Sequence, residues 1–307
     1  MGQMFERVAF IGLGLIGSSL ARAIKRDDLA GHISGAARTA ATREKALELG
    51  FIDSGFEDMA EAVTGADLVV ICTPLGSYAA VAKAMAPGLK QGAIITDVGS
   101  CKSQVIADIN KYRPKGVHLV AGHPIAGTEN SGPEAGFAEL FDNRWCLLVP
   151  VDSNSPEQVA RLRALWEGIG ANVEEMDAEH HDLVLAVTSH APHLIAYTMV
   201  GVADDLRRVT DSEVIKYSAA GFRDFTRIAA SDPTMWRDVF LTNKEATLEI
   251  LGRFTEELFA LQRAIRTGDG QHLFDYFTRT RAIRRGIIEA GQDTDAPDFG
   301  RSHKVAK

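Results

Sequence analysis

The sequence predicts an α/β domain, built as a doubly wound parallel sheet, followed by an all-helical domain. Its length of 307 residues suits two domains of ordinary size. Up to Pro150, short apolar stretches alternate with helical patterns of about ten residues, which is typical of βαβ units and a parallel sheet. From Asp177 onward the recognisable patterns are helical. The change of pattern places the domain boundary between Pro150 and Asp177.

The first half contains the strand patterns, which we place at residues 8–11, 32–36, 67–72, 93–96, 117–121 and 145–149. The third of them, DLVVIC, lacks polar alternation, as expected for a strand covered on both faces. Helices are predicted at 15–25 and at 42–49, the second ended by Gly50. Ser155 and Pro156 suit the N-cap and first position of a helix over 156–168. Residues 172–176 are a further candidate strand.

The second half contains long helical patterns, at residues 180–206, 213–220, 236–264 and 270–290. Acidic residues at 177 and 179 suit the start of the first of these helices, because the helix dipole favours negative charge there. The residues from Gln292 onward have the composition of a tail. We therefore predict a first domain over 1–176, a helical domain over 177–291 and a tail over 292–307.

Composition and charge exclude several classes of protein. The 33 basic and 41 acidic side chains give a formal charge of −8, whereas a nucleic-acid-binding domain is expected to carry a basic surface. Three cysteines are too few, and odd in number, for a disulfide framework, so a reducing cytoplasm is expected. The longest apolar run, 183–202, contains His190, Pro192 and His193, which favours a buried core helix over a membrane span. We expect a soluble protein without a nucleic-acid or membrane partner.

A glycine motif follows the first strand. Gly12, Gly14 and Gly17 form a G-x-G-x-x-G pattern between strand and helix, the position of the dinucleotide-binding turn in a Rossmann-type domain. Glycine serves there for a tight turn, for close approach of the backbone to a pyrophosphate, and for close packing of helix against strand. The backbone amides of Leu15 and Ile16, at the helix N-terminus, would bind that pyrophosphate. The alternative is a glycine-rich turn without a ligand.

The second strand bears on the choice between NAD and NADP. An NAD site usually has Asp or Glu about twenty residues after the last glycine, but this chain reads Gly-Ala-Ala-Arg-Thr at residues 35–39. The missing acid favours NADP or tolerance of both cofactors, because Arg38 can pair with a 2′-phosphate or stack on adenine. A solvated surface charge is the alternative interpretation of Arg38. The predicted cofactor is NAD or NADP.

Three loops that follow strands have unusual compositions, at residues 72–74 (CTP), 96–102 (TDVGSCK) and 122–129 (GHPIAGTE). Ligands of doubly wound sheets bind at the carboxyl ends of strands, so Thr73 and Pro74 are expected beside the cofactor. His123, in the third loop, would face the nicotinamide and accept a proton as hydride leaves the same carbon. A histidine that is packed in the core or solvated at the surface is the alternative.

Three longer segments, TDVGSCK, GHPIAGTENSG and GFRDFTRIAASDPTMWRDVF, together resemble the prephenate dehydrogenase family. That family includes the arogenate and cyclohexadienyl dehydrogenases of tyrosine biosynthesis. The resemblance extends over nearly the whole chain and implies a Rossmann domain followed by a helical dimerisation domain. It also implies oxidative decarboxylation of prephenate or arogenate, in which hydride passes to NAD(P)+, the ring hydroxyl loses its proton and CO2 leaves.

The resemblance implies roles for individual residues. The family's catalytic histidine matches His123, and the serine of its TDxGS segment matches Ser100. Both would hydrogen-bond the C4 hydroxyl of the substrate. The family's substrate-binding arginine matches Arg227, whose planar guanidinium group can bind a carboxylate with two hydrogen bonds. Arg223, four residues earlier, is the alternative.

Further matches are expected around the substrate. Glu129 and Asp224 match acidic residues at the entrance of the family's site, and Trp236 matches an aromatic residue there. His190 and His193 match histidines near the substrate. Packed helix residues and metal ligands are the alternatives for these two, although no ligand set at the usual spacing accompanies them, and no metal is expected.

The helical half carries more apolar residues than one small core needs, which together with the resemblance predicts a homodimer through the helical domain. Two other functions compete with the one that the family implies. A β-hydroxyacid dehydrogenase of the 6-phosphogluconate type would use a lysine from the helical domain, but no lysine occurs between Lys115 and Lys216. A non-catalytic dinucleotide sensor would have little use for His123, Ser100 and Arg227 together. The choice between prephenate and arogenate is left open.

Overall fold

The computed structural model describes residues 2–128, 130–151, 156–210 and 220–289 of the chain. Its central feature is an eight-stranded sheet. The strands are β1 (Phe5–Ile11), β2 (Ala30–Ala36), β3 (Ser54–Phe56), β4 (Leu68–Ile71), β5 (Ile94–Asp97), β6 (His118–Pro124), β7 (Trp145–Pro150) and β8 (Asn172–Glu175). Their order is β3-β2-β1-β4-β5-β6-β7-β8. The strand order changes direction between β1 and β4, which is where a doubly wound sheet binds its ligand.

All neighbouring strands are parallel except β6 and β7, which run antiparallel with His123 opposite Leu147. The predicted doubly wound parallel sheet is thus confirmed, with this antiparallel pair as the exception. The described part of the connection between Pro124 and Trp145 holds a 3-10 turn, Ala138–Phe141, and no crossover helix. A parallel neighbour requires such a crossover, so the chain returns antiparallel.

Helices accompany the strands of the first half, with the bounds α1 (Leu15–Arg26), α2 (Ala40–Glu48), α3 (Met59–Val63), α4 (Tyr78–Met85), α5 (Ser103–Asn110) and α6 (Pro156–Gly168). Every residue of β4 is buried, which confirms that both faces of this strand are covered. Strand β3 and helices α3, α4 and α5 were not placed from the sequence. Strand β3 is only the tripeptide SGF, partly exposed and without an apolar pattern long enough to recognise.

The second half is helical in its described part. Its elements are α7 (Ala178–Leu185), a π-helical turn (Ala186–His190), α8 (Ala191–Thr210), α9 (Ala220–Thr226), a 3-10 turn (Arg227–Ala230), α10 (Pro233–Thr242), α11 (Lys244–Thr267) and α12 (Gly270–Glu289). The helical pattern predicted at 236–264 is interrupted at Asn243, which separates α10 from α11. The helix predicted at 213–220 lies outside the described residues except at its last position, as does the tail predicted at 292–307.

The chain divides into two compact units. One contains the residues up to Pro192 together with Ala230–Thr247, and thus the sheet, α7 and α10. The other contains His193–Ala229 and the residues from Leu248 onward. The predicted division after residue 176 remains a prediction.

One helical stretch of the described chain, Ala178–Asp205, is long and apolar enough to cross a membrane by length and composition alone. Its first turns contain buried residues such as Leu185 and Ala186, whereas Met199 and Val200 are exposed. Ala191 and Ala196 are buried as well, so the expectation of a buried core helix describes the stretch up to Ala196. The later turns present apolar side chains on the surface of the single chain.

Candidate active site

The glycine-rich turn joins β1 to α1 in a conformation that only glycine adopts easily. Gly12 has a φ of +102°, and a Cβ there would lie 2.7 Å from the carbonyl oxygen of Cys72, which follows β4. A Cβ at Gly17 would collide with the carbonyl oxygen of Gly12. The turn is therefore pressed against the end of β4, and two of its three glycines are explained by packing within the protein.

Gly14 has a different environment. A Cβ added to it would meet no described atom within 4 Å, so internal packing does not require glycine there. Gly14 is also the N-cap of α1 and offers no side chain to the first amides of the helix, those of Leu15 and Ile16. Open space beside a helix N-terminus suits an approaching pyrophosphate, so these residues fit a dinucleotide.

The end of β2 presents a cation and no carboxylate over residues 34–39. Arg38 is exposed, and Thr39 caps α2 by accepting a hydrogen bond from the Thr42 amide. The nearby Arg43 donates to the carbonyl oxygen of Ala37 at 2.7 Å and to Glu57, so it serves the local structure. Arg38 is thus the side chain of this segment placed to meet a ligand, and its role remains a prediction.

Thr73 and Pro74 follow β4 beside the glycine turn. Thr73 is partly exposed and its hydroxyl is 2.9 Å from that of Ser77, while Pro74 is exposed. Both lie at the carboxyl edge where the cofactor is expected.

The ends of β5 and β6 are joined by a buried ion pair. Lys102 and Asp97 are both fully buried, with Nζ 2.5 Å from Oδ2. The backbone pairing between these strands extends only over Ile94 and Ile95 of β5. Farther along, Lys102 donates to the Gly122 carbonyl at 2.6 Å, and Asp97 accepts from the Gly122 amide at 3.1 Å. Side chains thus replace the ladder next to His123.

His123 lies near the end of β6 and is 8% exposed. Its Nδ1 is 2.9 Å from Nε2 of His181, which lies on α7 and is fully buried. Nδ1 of His181 is in turn 2.9 Å from Oδ1 of Asp182. The Asp182 carboxylate also accepts from the backbone amides of Lys102 at 2.7 Å and Ser103 at 2.9 Å, at the start of α5. Two side chains of α7, oriented by backbone amides at the start of α5, therefore hold His123.

A second contact ties α7 to the break between α10 and α11. The side-chain amide nitrogen of Asn243 donates to the backbone carbonyl oxygen of Asp182 at 2.7 Å. The same nitrogen lies 3.0 Å from Nδ1 of His190. His190 is fully buried, and its ring meets the Trp236 ring edge-on with centroids 6.1 Å apart. These interactions attach the helix break at Asn243 to α7, and they place His190 and Trp236 in the same buried cluster.

Burial determines the charge states of these groups. Burial lowers the pKa of His123 well below 6.5, and repulsion from His181, when that ring is protonated, and from the cation of Lys102 lowers it further. The pKa of His181 is lowered by burial against the opposing effect of Asp182. Burial alone would raise the pKa of Asp182, but hydrogen bonds from His181, Ser103 and Lys102 outweigh it and lower the value. At neutral pH both imidazoles are therefore uncharged and Asp182 is ionised.

The other predicted site residues are placed less closely. Ser100 is partly exposed in the loop between β5 and α5. His193, Asp224 and Arg227 belong to the second compact unit, where Arg227 is exposed at the start of its 3-10 turn. The alternative arginine, at position 223, is also exposed on α9. Glu129 lies outside the described residues.

Sequence reasoning missed His181, Asp182 and Asn243 as parts of this site. Lys102 and Asp97 lay within the quoted segment TDVGSCK but were given no role. The available signal was the run Glu-His-His-Asp at residues 179–182, in which adjacent titratable side chains open a long helix. Within the described ranges, no group of three or more His, Cys, Asp or Glu residues is arranged to hold a metal ion.

Comparison with known proteins gives the same result for both halves of the chain. Residues 20–175 match the model of the prephenate dehydrogenase nucleotide-binding domain, and residues 177–279 match that of its dimerization domain. The cyclohexadienyl dehydrogenase of Zymomonas mobilis is 43% identical over 287 residues, which cover 92% of this chain and 97% of that protein. The prephenate dehydrogenase of Bacillus subtilis is 34% identical, with 94% and 77% covered.

Solved structures agree. Prephenate dehydrogenase from A. aeolicus, in complex with hydroxyphenyl propionate and NAD+, superimposes with a TM-score of 0.84 at 34% identity, over 92% of this chain and 98% of that one. Synechocystis arogenate dehydrogenase superimposes with a TM-score of 0.78 at 27% identity, over 91% and 99%. The fold, the nucleotide turn and these relatives together define a nicotinamide-dependent oxidoreductase. Within that class, the chain belongs to the prephenate dehydrogenase family.

These comparisons confirm several predictions made from the sequence. The predicted family and fold class are correct, apart from the antiparallel β6–β7 pair. The predicted activity, that of an NAD(P)-dependent dehydrogenase of tyrosine biosynthesis, is confirmed, as is a nicotinamide dinucleotide as cofactor. The predicted roles of individual site residues remain predictions.

Proposed function

We propose that this chain oxidatively decarboxylates prephenate, arogenate or both, with His123 as the proton acceptor. One observation carries the assignment of the base. His123 is a buried, uncharged imidazole at the carboxyl edge of the sheet, three strands from the glycine turn at the end of β1. An uncharged imidazole can take a proton at neutral pH, and the glycine turn fits the dinucleotide.

The chemistry assigns His123 two proton transfers. Bound NAD(P)+ supplies the hydride acceptor for C4 of the cyclohexadienol ring. As the hydride leaves, His123 takes the proton of the C4 hydroxyl, to which Ser100 gives a second hydrogen bond. The electrons of the breaking bond between C1 and the carboxylate enter the ring, which becomes aromatic as CO2 departs. Because the product is a phenol, the C4 oxygen must regain a proton, and His123 is the group that holds one.

The carboxylates of the substrate need cationic partners. We assign Arg227 to one of them, since a guanidinium can bind a carboxylate with two parallel hydrogen bonds. Its exposed position leaves it available to a ligand. Glu129, Asp224 and His193 are proposed to line the entrance and the substrate site.

His190 and Trp236 are proposed to complete the substrate site from the buried cluster around Asn243. Arg38 is proposed to contact the adenosine end of the cofactor, in keeping with its exposure at the end of β2.

We propose that the enzyme is a cytoplasmic homodimer. The match of residues 177–279 to a dimerization domain supports the dimer. Helices α11 and α12 also expose large apolar side chains in the single chain, including Phe259, Ile265 and Phe274, each more than 60% exposed. A second copy of the chain would remove this surface from water. Light scattering coupled to gel filtration measures the mass directly, and a monomer at micromolar concentration would contradict the proposal.

The activity is tested by following reduced nicotinamide at 340 nm, with prephenate and arogenate each combined with NAD+ and NADP+. Turnover in one of the four combinations supports the function, and the pattern assigns substrate and cofactor preference. The control is His123→Asn, which should bind the cofactor without turnover. Four blank reactions with wild-type protein that still binds a cofactor would contradict the proposal.

A further inference from the structure

The hydrogen bonds from His123 to Asp182 have a defined direction. Asp182 is ionised and can only accept, so Nδ1 of His181 must carry the proton of their 2.9 Å contact. An uncharged imidazole has one N–H, which leaves Nε2 of His181 as an acceptor. The 2.9 Å contact to His123 then requires a proton on Nδ1 of His123. The remaining nitrogen of His123, Nε2, is left with a free lone pair.

We propose that His181 is a positioning residue that holds His123 in the tautomer with a basic Nε2, and that Asp182 holds His181 in turn. This inference rests on the proposed function, because it assigns the nitrogen that receives the substrate proton. When Nε2 of His123 takes that proton, the positive charge is shared along hydrogen bonds that end at an ionised carboxylate. Without His181, the Nδ1–H of His123 would lose its acceptor and the other tautomer would become accessible.

Packing alone does not account for this arrangement. His181 is fully buried, and an apolar side chain of similar size would fill the space without the cost of burying a polar ring. Asp182 is oriented by the backbone amides of Lys102 and Ser103, so its oxygens cannot turn away from His181 freely. The positions of both groups are thus determined by interactions that specify which nitrogen is protonated.

Two substitutions of His181 distinguish the effect of losing the hydrogen-bond acceptor from the effect of changing the side-chain volume. His181→Leu removes the acceptor, and we expect kcat to fall about 100-fold, within the range of general base catalysis. His181→Gln keeps an oxygen near the former Nε2 and should regain at least tenfold of that loss. Neither should change the dissociation constant of the cofactor. The matched control is His180→Gln, at the exposed neighbouring position on α7, which should keep wild-type kcat. Equal kcat values for the Leu and Gln variants, both folded by thermal melting, would overturn the proposal.

A measurement without turnover keeps the inference separate from the proposed function. In protein with 15N-labelled histidine, the ring nitrogen shifts report which nitrogen carries the proton, and His123→Asn identifies the signals of His123. We expect the Nδ1–H form in the wild type and a shift toward the Nε2–H form in His181→Leu. An Nε2–H form in the wild type would refute the role of His181, whatever the substrate is. Inactivity toward every dienyl substrate would instead refute the proposed function and leave this result standing.

Discussion

Breaking the buried pair of Lys102 and Asp97 should cost far more stability than breaking an exposed pair. In Lys102→Met the volume is nearly kept, but Asp97 loses its 2.5 Å partner and the Gly122 carbonyl loses a 2.6 Å donor. Both side chains of the pair are fully buried. Removing one partner of a buried ion pair leaves an uncompensated charge and costs about 3–5 kcal/mol. We therefore expect the free energy of unfolding to fall by about that amount.

The chain offers a matched control in Lys90 and Asp67. Their Nζ–Oδ1 distance is 2.6 Å, but the side chains are 39% and 19% exposed. Exposed pairs typically contribute up to about 1 kcal/mol, so Lys90→Met should cost no more than that. The two substitutions are the same, and the pairs differ mainly in burial. Urea unfolding followed by circular dichroism at one fixed protein concentration measures both, because stability of an oligomer depends on concentration.

A third variant tests the cause of the loss. Combining Lys102→Met with Asp97→Asn removes the unpaired charge, so the double variant should be more stable than Lys102→Met alone. The reasoning is refuted if Lys102→Met and Lys90→Met differ by less than about 1 kcal/mol. A double variant less stable than the single one would show that the loss arises from packing instead of charge.

Three further predictions concern His123 and Arg227. His123→Asn should lower kcat by about 10²–10⁴ and leave the cofactor dissociation constant unchanged; unaltered turnover in the spectrophotometric assay would remove His123 from the mechanism. Arg227→Ala should raise KM for the dienyl acid about 10- to 100-fold, the equivalent of a charge-assisted hydrogen bond, whereas an effect on the cofactor alone would place the carboxylate elsewhere. The lowered pKa of folded His123 means that the unfolded chain binds a proton first as pH falls below 6.5, so stability declines toward acid pH. His123→Asn should reduce the slope of unfolding free energy against pH between 6.5 and 5 by up to about 1.4 kcal/mol per unit, and an unchanged slope in urea titrations would show that His123 titrates normally.

The sequence was sufficient wherever the physical requirement is local. Gly12 adopts a positive φ, and a side chain at Gly17 would collide with the carbonyl oxygen of Gly12 in the same turn, so both glycines reflect local requirements that the sequence motif carries. Strand β4 could be recognised because burial on both faces leaves an unbroken apolar run. The prediction of His123 also needed only the rule that ligands bind where parallel strands end.

Interactions between segments that are far apart in the sequence could not be predicted from local patterns. The antiparallel return of β7 depends on the path of a loop, and short local patterns do not encode direction. His123 and His181 are 58 residues apart, and Asp182 meets the Lys102 amide across 80 residues. Each hydrogen bond needs an angle and a distance that arise only when α5 and α7 pack beside the sheet. The sequence by itself thus determined the fold class and the nucleotide turn, and it led to the prediction of His123. Tertiary structure alone decided which groups hold that histidine, because donors and acceptors are paired by packing.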